Sequence, residues 1–334
     1  MFNVKRPDEA TIQLIQRCGD PDRRIALRAQ RELAVALENP LRQGVLAGDI
    51  VSGLFTAIPM ERTRQSFEYP LDLLSPGEED EHVAFTCPNN GRIPEAQVEG
   101  DYVMIPTYRI ANSIDCLLKY LEEAGWDVLG RMMQVYEAGF VKKLNDDGWH
   151  TILAAAADRN ILVYDEDATA GLFTKRLVSL MQIVMRRNGG GNSNSINRRS
   201  LTDIYISPEG LEDIRNWGVD QVDEITRREI FQLAGEKSLT RIFGVNLHDI
   251  DELGVNQEYQ NFFTGALGAS IQASDLELIV GVDATRGSFL MPVKEPLRTW
   301  EDPALHRSQR FGVYGWQGVG FGSLDSRDLI VGSF

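Results

Sequence analysis

A chain of 334 residues, 43% of them hydrophobic, has room for two domains and enough apolar side chains for a substantial core. With 34 basic against 49 acidic residues the net charge is −15, which argues against tight non-specific binding to nucleic acid, because that needs clustered Lys and Arg to neutralise phosphates. Three scattered cysteines (Cys18, Cys87, Cys116) make neither a disulfide framework nor a metal-ligand spacing and fit a reducing compartment; no apolar run nears the roughly 20 residues that span a bilayer, and the opening MFNVKRPDEATIQ lacks the apolar stretch of a signal peptide.

Residues 8–50 read as helices broken by turns. Asp8 is placed to cap the first, and Gly19-Asp20-Pro21 interrupts it, with Pro21 suited to a first helical turn. Ile25, Leu27, Leu33, Val35 and Leu37 predict a helix face ending at Asn39-Pro40. Residues 1–60 hold 8 basic and 7 acidic side chains, a net +1, so the rest of the chain carries −16.

From residue 65 the period changes. Phe67, Tyr69, Leu71 and Leu73 alternate with polar residues, which predicts a strand. Ser75-Pro76-Gly77 stops it, and an acidic run follows, Glu78, Glu79, Asp80 and Glu81. After Pro88-Asn89-Asn90-Gly91 a second extended stretch runs through Val98, Tyr102, Met104 and Ile105 to Pro106. A long hairpin is marginal in water by itself, so this excursion predicts a partner surface.

Residues 113–146 carry the strongest helix pattern: Leu129, Met132, Met133, Tyr136, Phe140 and Leu144 recur at spacings of three and four. Asp146-Asp147-Gly148 is read as its end, Trp149–Ala157 as a short second helix, and Leu172–Arg187 as an amphipathic third. The two methionines are read as core filler. Arg187–Arg199, RNGGGNSNSINRR, is a small-residue polar loop. Its flanking Arg186, Arg187, Arg198 and Arg199 are candidates for contact with an acidic neighbour.

Beyond it, Leu201–Ser207 predicts a strand, Pro208 opens a helix to Trp217, Thr226–Ala234 is a short helix, and Arg241–Leu247 and Leu276–Val282 are strands. Two extended runs close the sequence, around Arg310–Gly320 and Asp328–Phe334. The glycines of Gly318-Val319-Gly320-Phe321-Gly322 mark a bend or a close backbone approach. No regular βαβ repeat appears, which disfavours a doubly wound nucleotide fold.

A search for chemistry nominates no catalytic residue, metal or cofactor. GxxxxGK[ST], HExxH and GxSxG are absent, and so is a GxGxxG opening a helix after a strand. The histidines are scattered, and His248-Asp249-Ile250-Asp251 reads as a polar turn after a strand. Glu78 and Glu79 sit on a solvated tip, whereas a shared-proton pair needs burial.

The order of these elements resembles the major capsid proteins of tailed bacteriophages, the HK97-like shell fold. LTDIYISPEGLEDIR (201–215) is similar to that family's strand, Pro turn and helix; RIFGVNLHD (241–249) and LELIVGVDATRG (276–287) resemble the next strands, and residues 307–334 its closing strands. The resemblance covers roughly residues 60–334 and implies an α+β fold. Its parts would be a helical N-terminal arm (1–64), an E-loop hairpin (65–110), a P-domain with a long spine helix (111–200), a mixed α/β A-domain (201–285) and closing P-domain strands (286–334).

The same resemblance implies a structural protein and not an enzyme. It would assemble through hexamers and pentamers into an icosahedral virion capsid around double-stranded DNA, in the host cytoplasm, with a portal, a scaffold and decoration proteins as partners and no membrane. Phe67, Tyr69, Leu71, Glu78 and Glu79 of the E-loop, with Arg186, Arg187, Arg198 and Arg199, would meet neighbouring subunits. Two departures qualify it. Residues 65–110 contain no Lys, so an isopeptide made from an E-loop Lys is not supported. No long scaffold-like region opens the sequence, so a separate scaffold protein is expected. The rival readings are an encapsulin-type nanocompartment of the same fold, a soluble acidic α+β enzyme, and a tail or connector protein.

Overall fold

The computed structural model describes residues 9–18, 20, 22–48, 53–72, 100–122, 126–188, 198–217, 241–269 and 277–334. Helix α1 (Glu9–Cys18) is followed by α2 (Arg23–Gly48), whose first turn is capped by Asp22: its carboxylate accepts from Arg24 N at 2.9 Å. The expected cap Asp8 lies outside the described residues. The expected stop at Pro40 is overturned, for α2 runs through it. Proline inside a helix costs roughly 3 kcal/mol, and burial of Leu41 and Val45 beyond it, about 1.5–3 kcal/mol each, offsets that. The buried face also differs from the predicted one. Ala26, Ala29, Leu33, Ala34, Leu41 and Val45 point inward, while Ile25 and Val35 are exposed, because small alanines let a helix lie close to its neighbours.

Strand β1 (Thr56–Pro59) precedes the ribbon of β2 (Ser66–Asp72) and β3 (Gly100–Pro106), which pair with each other. Gln65 O clasps its base, accepting from Thr107 N at 3.1 Å and Thr107 Oγ1 at 2.9 Å. Strand β4 (Tyr108–Leu117) comes next, then the short α3 (Leu118–Glu122) and the 34-residue α4 (Trp126–Arg159). Two expectations fail here. Residues 113–117 are strand, not helix: Ile110, Ile114 and Leu118 have a helix-like spacing of four, but Ile110, Asn112, Ile114 and Cys116 share the less exposed face of a strand. Asp146-Asp147-Gly148 does not end the helix. A mid-helix Gly costs only about 1 kcal/mol, the Lys143–Asp147 pair at 2.7 Å bridges one turn, and Leu144 and Trp149 are buried on either side.

Strand β5 (Leu162–Val163) leads to α5 (Lys175–Arg187), β6 (Asp203–Ile206) and α6 (Pro208–Asn216). Ser207 caps α6 by accepting from Gly210 N at 3.1 Å, with Pro208 in the first turn as the sequence predicts. The predicted strand at 241–247 is two strands, β7 (Arg241–Ile242) and β8 (Val245–Asp249), joined by a turn with positive φ at Phe243 and Gly244. A short α7 (Glu258–Asn261) continues into a π-helical turn, Phe262–Ala266, which the sequence reading did not anticipate. Then come β9 (Leu278–Val282), the unanticipated 13-residue β10 (Phe289–Glu301), β11 (Arg310–Val319), β12 (Gly322–Ser323) and β13 (Leu329–Ser333). The predicted helix 226–234 lies outside the described residues.

The chain divides into two compact units. One comprises Met1–Phe67, Met104–Gly148 and Leu290–Gly322, the other Glu68–Val103, Trp149–Phe289 and Ser323–Phe334. The final segment, 286–334, therefore serves both.

In the first unit β1, β10, β11 and β4 lie side by side in that order. Strands β11 and β4 pair without a break from Arg310↔Leu117 to Val319↔Tyr108. Strand β10 shifts register between Val293 and Arg298, around Pro296, which has no N–H to give. One face of this sheet rests on helices. Phe311 and Val313 join Leu33 of α2 and Met132 of α4 in one core, and Thr299 Oγ1 donates to Ala34 O at 2.9 Å. A Cβ on Gly320 would press on Pro106 O, a close backbone approach as predicted, and one on Gly315, which the sequence did not single out, would press on Arg298 O and Tyr136 Oη.

In the second unit six described strands run β5-β13-β9-β6-β8-β7. Strands β6, β9 and β13 are buried at every position, which is why they read as short apolar runs. Leu177, Met181 and Met185 of α5 and Leu211 and Ile214 of α6 pack with Ile204, Ile206, Ile279 and Ile330. Tyr205 points the other way, its ring edge-on to Trp149 at 4.8 Å, and Trp149 stacks on Tyr259.

Candidate functional site

The β2–β3 ribbon holds the first set of predicted contact residues. Phe67 and Tyr69 are half-buried on β2, and Leu71 lies two residues further along the same strand. Glu78 and Glu79 fall outside the described residues. Tyr102 and Met104 lie on β3, as the extended stretch in the sequence predicts. They are the more exposed pair, at 64% and 66%. Two large apolar side chains held open two residues apart on one strand face are a ready contact surface.

The arginine set separates. Arg186 and Arg187 are exposed in the last turn of α5, where the helix dipole favours cations. Arg198 is exposed and its carbonyl accepts from Arg286. Arg186 and Arg198 line a cleft of about 490 Å³ with Ser179, Gln182 and Ile183. Arg199 does not serve as an outward contact: it is 5% exposed. Its Nε meets Asp328 Oδ1 at 2.9 Å and its NH2 meets Asp325 Oδ2 at 2.7 Å. Arg327 also holds Asp325 at 2.8 Å, Ser288 Oγ donates to Asp328, and Arg159 donates to Ser326 O at 2.7 Å. Burial pushes the Asp325 carboxyl up, but Arg327 and Arg199 outweigh it and hold it below the usual carboxylate range. For the more enclosed Asp328 burial prevails over Ser288 and Arg199, and its carboxyl is raised. This network fixes the segment around 325–328 inside the second unit.

A further surface was not read from the sequence. The outward face of β10 and β11 carries Trp300, Tyr314 and Trp316 in a row, with Trp300 and Trp316 stacked at 4.0 Å and Arg109 5.8 Å above the Trp316 ring. Across the register β4 adds Ala111, Ser113 and Asp115, all exposed. Such a row is hidden in the sequence because its members come from strands paired at Trp300↔Tyr314 and Arg298↔Trp316.

No group of three metal-ligating side chains occurs among the described residues. His248 and Asp249, expected in a turn after the strand, lie within β8; the His248 ring stacks on Tyr205 while Nε2 lies 2.8 Å from Asp203 Oδ1, which clips β8 to β6. Burial alone would raise Asp203, but hydrogen bonds from His248, Thr202 and Asn246 outweigh it and lower its pKa. Among the described residues, burial pushes the thiol of Cys18 up to about 12 and that of Cys116 up to about 11, which disfavours their thiolates. No described helix is long and apolar enough to cross a membrane.

No family model and no curated protein sequence matches the chain. Solved structures do. A Microbacterium phage Oxtober96 structure matches with a TM-score of 0.57 at 10% identity, over 86% of this chain and 90% of that one. The cyanophage Pam1 capsid asymmetric unit matches with a TM-score of 0.53 at 12% identity, over 84% and 88%. The bacteriophage PhiM1 mature capsid matches with a TM-score of 0.51 at 11% identity, over 85% and 86%. Identities this low speak to architecture alone, and the match spans most of both chains in each case. The chain therefore carries the α+β fold of phage capsid structures, the HK97-like shell fold.

Proposed function

We propose that this chain is a major capsid protein. It assembles through hexamers and pentamers into an icosahedral virion shell that encloses double-stranded DNA without reading its sequence. The observation that carries this reading is the capsid fold shared over about 85% of the chain. The ribbon residues Tyr102 and Met104, which stand exposed in one subunit, and the half-buried aromatic row support it. Ordering a long excursion costs conformational entropy, and obligate interfaces that bury thousands of Å² offset it. With a net charge of −15 the wall would leave packaged DNA loosely held. A portal, a separate scaffold and decoration proteins are the partners this role calls for, with assembly in the host cytoplasm. The helical arm, E-loop, P-domain and A-domain boundaries given above are part of the proposal. So is contact with neighbouring subunits by Phe67, Tyr69, Leu71, Glu78, Glu79, Arg186, Arg187 and Arg198.

Electron microscopy of the purified chain, expressed with and without a candidate scaffold, tests it. Closed icosahedral shells are expected, with DNA inside native particles. Shells holding an enzyme would make it a nanocompartment. A monomer that never assembles would overturn the reading.

A further inference from the structure

Gln317 is a polar residue at a core position. On β11 it alternates with Trp316 and shares the helix-facing side with Phe311 and Val313. It is 9% exposed, and its Oε1 has no hydrogen-bond partner among the described residues. A buried acceptor costs free energy until a donor meets it. The neighbouring strand opens space beside it. The register runs Glu295↔Gly318 and then Arg298↔Trp316, so β10 bulges at Pro296 and Leu297 opposite Gln317. Gln317 there lines a cavity of about 480 Å³ that lies wholly within the first unit. Val45 of α2, Leu144 of α4, Met291 and Leu297 make its walls apolar, and the more exposed Arg42 and Lys294 also line it. Neither cation has an ion pair among the described residues, and no acidic side chain is among the described lining residues, on a chain with a net charge of −15.

We propose that this cavity binds a small amphipathic anion: an acyl or aryl body, an amide N–H beside it, and a carboxylate. The inference goes beyond the shell reading and does not depend on it. Each part of the ligand answers one feature of the site. The body covers Val45, Leu144, Met291 and Leu297, the N–H donates to Gln317 Oε1, and the carboxylate meets Arg42 and Lys294. Small-molecule sites have this make-up, mostly apolar with a few placed polar groups, at about 300–1,000 Å³. Strand bulges recur beside such sites because they re-aim side chains. A lone water is a poorer occupant. It needs roughly two to four polar partners, Gln317 is the one buried polar side chain among the described lining residues, and the cations would stay unpaired. A phosphodiester is poorer too, for it offers Gln317 no donor and the walls no apolar group. A metal ion would find no carboxylate among the described lining residues.

Three acyl probes, kept below their micellar concentrations, test it by calorimetry on the purified full-length chain. N-decanoylglycine carries the body, the N–H and the carboxylate. N-decanoylsarcosine lacks the N–H, and the methyl ester of N-decanoylglycine lacks the charge. The first should bind, and the other two should bind about tenfold more weakly or worse. Gln317→Leu should bring the glycine and sarcosine probes to within about twofold of each other, and Arg42→Ala with Lys294→Ala should do the same for the acid and its ester. A merely structural role for these side chains would move neither ratio. Ala57→Trp, at an exposed lining position, should block all three probes. No binding of N-decanoylglycine, equal binding of the three probes, or wild-type binding by Ala57→Trp would overturn the proposal. So would tighter binding of acetyl-Ala-Leu, which would make the occupant a polypeptide terminus. If Gln317→Leu fails to fold, the probe series on the wild-type chain and Ala57→Trp decide the matter. Binding is read on the subunit, so a chain that builds no shells removes the shell reading and leaves this test standing.

Discussion

In the six-stranded sheet β6, β9 and β13 are buried along their whole length, with α5 and α6 on one face and Trp149 and Tyr259 on the other. In the sheet of β10, β11 and β4 one face is closed by Leu33, Met132 and Tyr136, and the other is left with Trp300, Tyr314 and Trp316 accessible. The first arrangement satisfies itself, down to an internal ionic network. The second holds back part of its apolar surface. A subunit built for assembly needs both, because a surface can be precise towards a neighbour only if its backing does not yield.

That contrast is breakable by substitution. The largest loss of stability should come from Arg199→Ala, which leaves Asp328 enclosed without its cation and Asp325 with Arg327 alone, at about 3–5 kcal/mol. Urea unfolding of the purified subunit would read it as a lower midpoint. Through Asp325 acid should act in the same direction, against an opposite contribution from the raised Asp328. The Asp325 carboxyl is depressed in the fold, so its contribution is complete above the unfolded value near pH 4 and disappears as pH falls through the lower folded value. Hydrogen exchange around residues 325–333 should rise in that window. No change there would separate the network from acid sensitivity.

Gly315→Ala comes next, at about 1–3 kcal/mol, because the new methyl meets Arg298 O and Tyr136 Oη. Thermal unfolding should place its damage in the first unit. Thr174→Ala removes the cap that accepts from Leu177 N at 3.3 Å and should cost about 1 kcal/mol. Smallest in stability, within about 0.5 kcal/mol, should be Tyr102→Lys with Met104→Lys, since both side chains are already in solvent. The same pair should abolish shells. Normal particles from it, or from charges at Phe67, Tyr69 and Leu71, would detach the ribbon from assembly.

Local pattern made part of this legible in the sequence. The row Met132, Tyr136, Phe140 and Leu144 is buried as its spacing requires, and Ser207-Pro208 opens a helix where a cap and a first-turn proline belong. The elements missed are those whose local signals conflict. Ile110 and Ile114 fit two periods, and the alanine face of α2 is too small to stand out. The role of Arg199 could not be read at all, because its partners lie 126 and 129 residues away and only the fold brings them together. The aromatic row was hidden for the same reason, being a property of strand register.

Strand β13 lies between β5 and β9, pairing Val331 with Leu162 and Val280. On the ribosome the six-stranded sheet thus lacks an inner member until residues 329–333 emerge, long after Tyr102 and Met104 have been synthesised. Pairings so distant in sequence form slowly. During that interval the nascent chain presents the exposed Tyr102 and Met104 before the core of the second unit is complete. Chaperone engagement in that interval would set how many subunits survive to build anything.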